Sequence, residues 1–149
     1  MASILEFIRT GKLGHISTNV SKEEIENILG KPDDVTVSRK PRIYKYGSLQ
    51  LAFYWDKEKE IGLLDSIHLY FDGEPLFPSE LCLGGWIPDN SVSMEVFLEY
   101  ILEHGINIKK NESLCFENQQ IGYISDAKVT VVFNAEGSKY NLKSMHKSV

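Results

Sequence analysis

Four histidines, two cysteines and a repeated Ser-x-His tripeptide are the residues through which this chain could do chemistry. The tripeptide occurs as Ser66-x-His68 and again as Ser144-x-His146, each inside a run that alternates apolar and polar residues. Two residues apart on a strand means one shared face, because strand side chains repeat with period two. His15, His68, His104 and His146 show no metal-ligand spacing along the chain, so no metal site is expected. His68 and His146 could approach each other only across a duplicated sheet, where an imidazole pair could hold a metal or move a proton. Taken singly, each is expected to be a solvated histidine on a polar strand face.

Other reaction signatures are absent from the sequence. Gly30-Lys31 would need a glycine at position 25 to form a phosphate-binding loop, but Ile25 stands there and Pro32 replaces the required hydroxyl residue. Cys82 and Cys115 sit between apolar neighbours without a CxxC pair, which predicts buried, inert thiols and a reducing compartment. No nucleophile has a base in a recognisable context. The chain reads as non-enzymatic, with no catalytic residues and no cofactor.

The elements that position these residues are written in the pattern. In "VSKEEIENILGKPDD", residues 20–34, Ser21 and Glu24 form a capping box, Ile25, Ile28 and Leu29 line one face, Gly30 suits the cap and Pro32 ends the helix. Ser3 and Glu6 open a similar small helix that Gly11 can close. Such short helices are marginal alone, so each must pack on something. The partner is a sheet. "RIYKYGSLQLAFYW" holds a Gly-Ser turn between two β-prone runs. In the second run Leu49, Leu51, Phe53 and Trp55 alternate with Gln50, Ala52 and Tyr54. In "LLDSIHLYF", Ile67, Leu69 and Phe71 alternate with Ser66, His68 and Tyr70, the mark of an antiparallel sheet covered on one side.

Residues 72–92 break the alternation with three prolines and three glycines, yet carry Leu76, Phe77, Leu81, Leu83 and Trp86. A connector this apolar is expected to lie against the body, with Trp86 pinned to the core. Then the order restarts: Val92 and Ser93 stand where Val20 and Ser21 stood, and a helix with Met94, Phe97, Leu98, Ile101 and Leu102 on one side runs to Gly105. Three β-prone runs follow, in which Phe133 matches Phe53, Leu142 matches Leu64, and Ser144-x-His146 matches Ser66-x-His68. The expectation is one α+β domain, residues 1–149, built from two tandem helix-plus-meander repeats. The repeats span about residues 15–75 and 90–149 and form a joined or abutting antiparallel sheet with helices on one face. Leu51, Phe53, Ile67, Leu69, Phe97, Ile101, Val131 and Phe133 should be buried.

A known architecture has the same order. Ser21, Glu24, Leu29, Gly30 and Pro32, followed by Tyr44, Tyr46 and Phe53, resemble the helix-and-hairpin unit of the β-lactamase-inhibitor-protein-like family. They are similar also to the small lipoprotein of the outer-membrane barrel-assembly machinery. The resemblance implies two tandem units that present a sheet to a protein partner and catalyse nothing. This chain shows neither the signal peptide of the extracytoplasmic relatives nor the inhibitor's disulfides. In being small and acidic it is similar in type to immunity proteins that neutralise toxins.

Composition narrows the partner. A net charge of −5 over 149 residues disfavours nucleic acid and anionic membranes and suits a basic protein, such as a toxin or enzyme. No apolar stretch is long enough to span a bilayer, and "MASILEFIRTGK" lacks a leader's basic start, so a cytoplasmic location is expected. Two surfaces are candidates for partner binding. One is the polar sheet face, with Tyr44, Tyr46, Tyr54, His68, Tyr70 and His146, because tyrosine offers contact area at low entropy cost. The other is Glu95, Glu99 and Glu103, an acidic stripe at i, i+4, i+8. The alternative function is a small-molecule-binding or sensing domain with a pocket between sheet and connector.

Overall fold

Ser3, Ser21 and Ser93 each start a helix in the computed structural model, which describes residues 2–36 and 41–148. Ser3 Oγ accepts from the Glu6 amide (3.0 Å) at the head of α1 (Ile4–Thr10). Ser21 Oγ accepts from the Glu24 amide (3.2 Å) ahead of α2 (Lys22–Leu29). Ser93 Oγ accepts from the Val96 amide (3.2 Å) ahead of α3 (Met94–Glu103). Each bond satisfies a donor that a helix start leaves free. Glu6 departs from the reciprocal box: its carboxylate accepts from the Gly14 amide (3.0 Å) and ties down the turn after α1.

The strands are β1 (Asp34–Thr36), β2 (Arg42–Tyr46), β3 (Leu49–Asp56), β4 (Ile61–Tyr70), β5 (Lys109–Lys110), β6 (Gln119–Ile124), β7 (Val129–Glu136) and β8 (Lys139–Ser148). They form one antiparallel sheet of eight strands in the order β1-β2-β3-β4-β8-β7-β6-β5. The fold class is α+β, and the sheet is joined rather than abutting. The seam is the β4–β8 pair, in which His68 stands directly opposite His146 and Leu69 opposite Met145.

One face of this sheet makes the core. Tyr44, Tyr46, Leu49, Leu51, Phe53, Leu64, Ile67, Leu69, Val129, Val131, Phe133, Leu142 and Met145 pack there with Ile4, Phe7 and Ile8 of α1, Ile25 and Leu29 of α2, and Phe97 and Ile101 of α3. All eight residues expected in the core are buried. The opposite face carries Gln50, Ser66, His68, Tyr70, Thr130, Val132, Ser144 and His146, none of which belongs to that core cluster.

The two halves correspond in position. Phe53 pairs with Leu64 and Phe133 with Leu142, and in each strand pair the register shifts just before the phenylalanine. The residues left over by the shifts are Asp65 and Lys143, at matching places. The Leu64 amide donates to Val20 O and the Leu142 amide to Val92 O (2.8 and 2.9 Å), which ties the start of α2 and the start of α3 to those strand positions. Descent from a duplicated unit is a proposal that these correspondences support.

The connector lies against the body as its composition demands. Phe77 packs on Phe71, with ring centroids 5.9 Å apart, and the Gly84 amide donates to Ala2 O (2.9 Å). Trp86 stacks on Tyr100 (3.9 Å) and leans on Phe97 (5.9 Å), which is the pinned arrangement. The indole is only half-buried, so Trp86→Ala should cost about 2 kcal/mol, below the usual core tryptophan loss. A lowered thermal midpoint checks this. Leu76 and Ile87 are exceptions in this segment, 72% and 47% exposed. Cys82 corrects the expectation of buried thiols. It is exposed, because the chain turns there in a left-handed conformation (φ 51°) directly after the 3-10 turn Ser79–Leu81. Cys115 is half-buried, its sulfur 3.3 Å from the Ile121 amide.

Candidate functional site

The alternation of β4 and β8 places Ser66 and His68, and likewise Ser144 and His146, on the face away from the helices. The β4–β8 register then brings the pairs together. Ser66 Oγ lies 2.8 Å from His68 Nε2, and Ser144 Oγ lies 2.7 Å from His146 Nε2. Between the rings, His68 Nδ1 and His146 Nδ1 are 2.6 Å apart. The result is an unbroken Ser66–His68–His146–Ser144 chain across the seam. Both serines are buried, at 7% and 2% exposure, so the imidazoles are held from behind by hydroxyls that solvent hardly reaches. The Tyr70 ring closes one side, 6.4 Å from His68 and 5.7 Å from His146.

Two nitrogens this close must share one proton, since two lone pairs or two N–H groups would repel. Burial lowers the His68 pKa, against the pull of the Asp65 carboxylate. Burial, then the His68 and Lys143 charges, lowers His146 from 6.5 to about 4. Gln50 and Thr130, the cross-strand neighbours of His68 and His146, are uncharged. Tyr70, whose own pKa burial raises, stays neutral. Both histidines therefore bind protons more weakly folded than unfolded. Their contribution to stability is present above pH 6.5 and is lost as pH falls toward about 4. After discounting for solvent contact, that loss is about 1–2 kcal/mol. Melts between about pH 7 and pH 4.5 should show His146→Gln losing less midpoint on acidification than wild type.

The residues expected on the polar sheet face divide. His68, Tyr70 and His146 are there together. Tyr54 lies beyond the register shift, 39% exposed, with its hydroxyl donating to Asn19 Oδ1 (3.5 Å), apart from the histidine cluster. Tyr44 and Tyr46 are a correction. They pair with Leu51 and Leu49 and so face the helices, each only 4% exposed. Their hydroxyls donate to Glu26 Oε1 (3.3 Å) and Gly30 O (2.9 Å), fastening α2 to the sheet. Burial raises the pKa of both phenols. They hold structure and lie away from the polar sheet face.

Glu95, Glu99 and Glu103 are all exposed, but on α3, in the opposite layer from His68 and His146. The structure does not bring the two candidate surfaces together. What the sequence reading missed on α3 is its exposed apolar content: Val96 is 54% and Leu102 72% exposed beside the glutamates. Next to them Met94 and Leu98, with Ile108, Ile121, Gly122 and Phe133, line an apolar cleft of about 260 Å³ with Lys110 and Gln120 at its edge. Among the described residues, no group of three or more His, Cys, Asp or Glu side chains converges as a metal cage.

No protein-family model matches the chain, and no curated protein matches it. Among solved structures it is similar to a DUF4309 family protein (YjgB) from Bacillus subtilis subsp. subtilis str. 168, with a TM-score of 0.54 and 13% identity. The match covers 98% of this chain and 93% of that one. At this identity the likeness is one of fold. No helix among the described residues is long and apolar enough to cross a membrane.

Proposed function

We propose that this chain is a non-enzymatic protein-binding module, of the inhibitor or immunity type, whose partner is a basic protein met by α3. The observation that carries this reading is the outer side of α3, where Glu95, Glu99 and Glu103 form an exposed stripe with exposed Val96 along one flank and exposed Leu102 along the other. Like charges at i, i+4 weaken a helix slightly, and exposed Leu102 gains nothing from the fold. An acidic stripe with apolar residues along its flanks suits a partner that lays cationic side chains on the stripe and apolar ones beside it. The adjoining Met94–Leu98 cleft extends the apolar part. The net charge of −5 would speed association with such a partner. The resemblance to the β-lactamase-inhibitor-protein-like architecture supports protein binding as the class of function, although it implies a partner met by the sheet rather than by α3. A toxin as the partner and a cytoplasmic setting belong to this proposal.

Affinity capture from the source organism tests it, with wild type beside Glu95→Lys/Glu99→Lys/Glu103→Lys and Leu102→Ala. Wild type should retain a basic protein at moderate salt. Charge reversal should weaken retention at least about tenfold, and Leu102→Ala should weaken it while leaving stability within about 0.5 kcal/mol. Capture of no basic protein, or equal capture by all three chains, would count against the proposal.

A second reading has its own observation. Between the β2–β3 turn and the connector, Leu29, Lys31, Asp33, Tyr46 and Gly47 face residues 76–80 across a cleft of about 360 Å³. A cleft between sheet and connector supports the reading of a small-molecule-binding or sensing domain. Its open shape suits a ligand less well than an enclosed pocket would. Saturable ligand binding with NMR shifts confined to residues 76–80 would favour it.

A further inference from the structure

We infer that His68 and His146 form a transition-metal site on the face of the sheet away from the helices, taking one divalent ion such as Ni2+ or Cu2+ between their Nδ1 atoms. The inference is independent of the α3 partner surface and concerns the other layer of the molecule.

The argument starts from symmetry. Each histidine turns Nε2 to its own serine, at 2.8 and 2.7 Å, and Nδ1 to its counterpart. A shared proton cannot satisfy both halves alike. It makes one ring an Nδ1–H donor whose Nε2 accepts from serine, while the other ring donates Nε2–H to serine. A cation between the rings removes that inequality. Both rings then present an Nδ1 lone pair inward and an Nε2–H outward, and both serines accept. Fixing the remote N–H of a ligating imidazole with an acceptor is how metal-bound histidines are oriented. Ser66 and Ser144 stand in that position and are buried against competition from water.

Distance selects the ion. With metal–nitrogen bonds of about 2.0–2.1 Å, two ligands at a right angle sit about 2.9 Å apart, and two at the tetrahedral angle about 3.4 Å. The 2.6 Å separation needs to open by only a few tenths of an ångström for the first geometry. Ions that accept right-angle ligands therefore fit with the least movement. Imidazole nitrogens, and the high place of Ni2+ and Cu2+ in divalent affinity order, point to the same ions. His68 and His146 are half-buried rather than enclosed, so water can reach the remaining positions. With only two protein ligands the site is exchangeable, a sensing or transfer type rather than a structural cage.

Ni2+ is the probe, because it stays divalent in the presence of exposed Cys82. Calorimetric titration of the full chain should show saturable binding of one Ni2+ at well under millimolar concentration. Paramagnetic broadening in NMR should fall first on the ring protons of His68 and His146. His68→Gln and His146→Gln should abolish binding, and Ser66→Ala or Ser144→Ala should weaken it about ten- to a hundredfold. With diamagnetic Zn2+, nitrogen spectra of wild type should show both rings as Nε2–H tautomers, a readout that requires no variant to fold. Absence of saturable binding, broadening centred on His15 or His104, or affinity unchanged in the folded histidine variants would overturn the inference.

Discussion

Phe97→Ala is expected to lower unfolding free energy by about 3–5 kcal/mol. Phe97 has no exposed surface, and its ring meets Phe133 of the sheet at 5.4 Å and Trp86 of the connector at 5.9 Å. The side chain thus joins three separate parts of the chain: helix, sheet and connector. Removing it leaves a cavity that α3 cannot close by moving inward, because Ile101 already packs against the same core. Chemical denaturation should show a lower midpoint with little change in slope, the sign of lost stability without a changed unfolded state. A loss below about 1 kcal/mol would mean that α3 is not anchored as described.

Gly47→Ala should be next in size, at about 2–3 kcal/mol. Gly47 has φ 59°, in the left-handed region that side chains resist. An added Cβ would also run into the Leu76 carbonyl oxygen. That carbonyl accepts from the Ser48 amide (2.7 Å), while Ser48 Oγ accepts from the Leu76 amide (2.9 Å). The substitution therefore strains the β2–β3 turn and releases the start of the connector together. Hydrogen exchange should rise at Ser48 and Leu76 more than in β4 or β8. Exchange unchanged at both residues would contradict the role given to this contact.

The difference between what was readable in the chain and what was not follows the range of the interaction. Helix starts were readable because a cap is decided within four residues, as Ser21 and Glu24 show. The buried face of β3 and β4 was readable from its alternation at Leu49, Leu51, Phe53, Ile67 and Leu69. Trp55, expected on that face, is 53% exposed, because the register shifts between Ala52 and Phe53. Tyr44 and Tyr46 were misread because "RIYKY" alternates in both directions, with Ile43 on one face and tyrosines on the other. Pairing of Tyr44 with Leu51 and acceptors on α2 decide the matter, and both depend on tertiary register. The Ser-x-His echo was visible, but the contact between His68 and His146, 78 residues apart, depends on the β4–β8 register. The glutamate stripe on α3 was visible from spacing alone. The exposure of Val96 and Leu102 was not, since Leu102 was read as part of the apolar side and only the placement of α3 on the sheet turns it outward.

The central claim is that the working surface for a protein partner is the outer side of α3. Amide hydrogen exchange of the chain, free and bound to the basic protein it retains, tests this most directly. The account predicts new protection concentrated in Met94–Glu103 and the adjoining cleft, with the amides of β4 and β8 around His68 and His146 unchanged. Protection that falls on β4 and β8 and leaves α3 unaltered would contradict it.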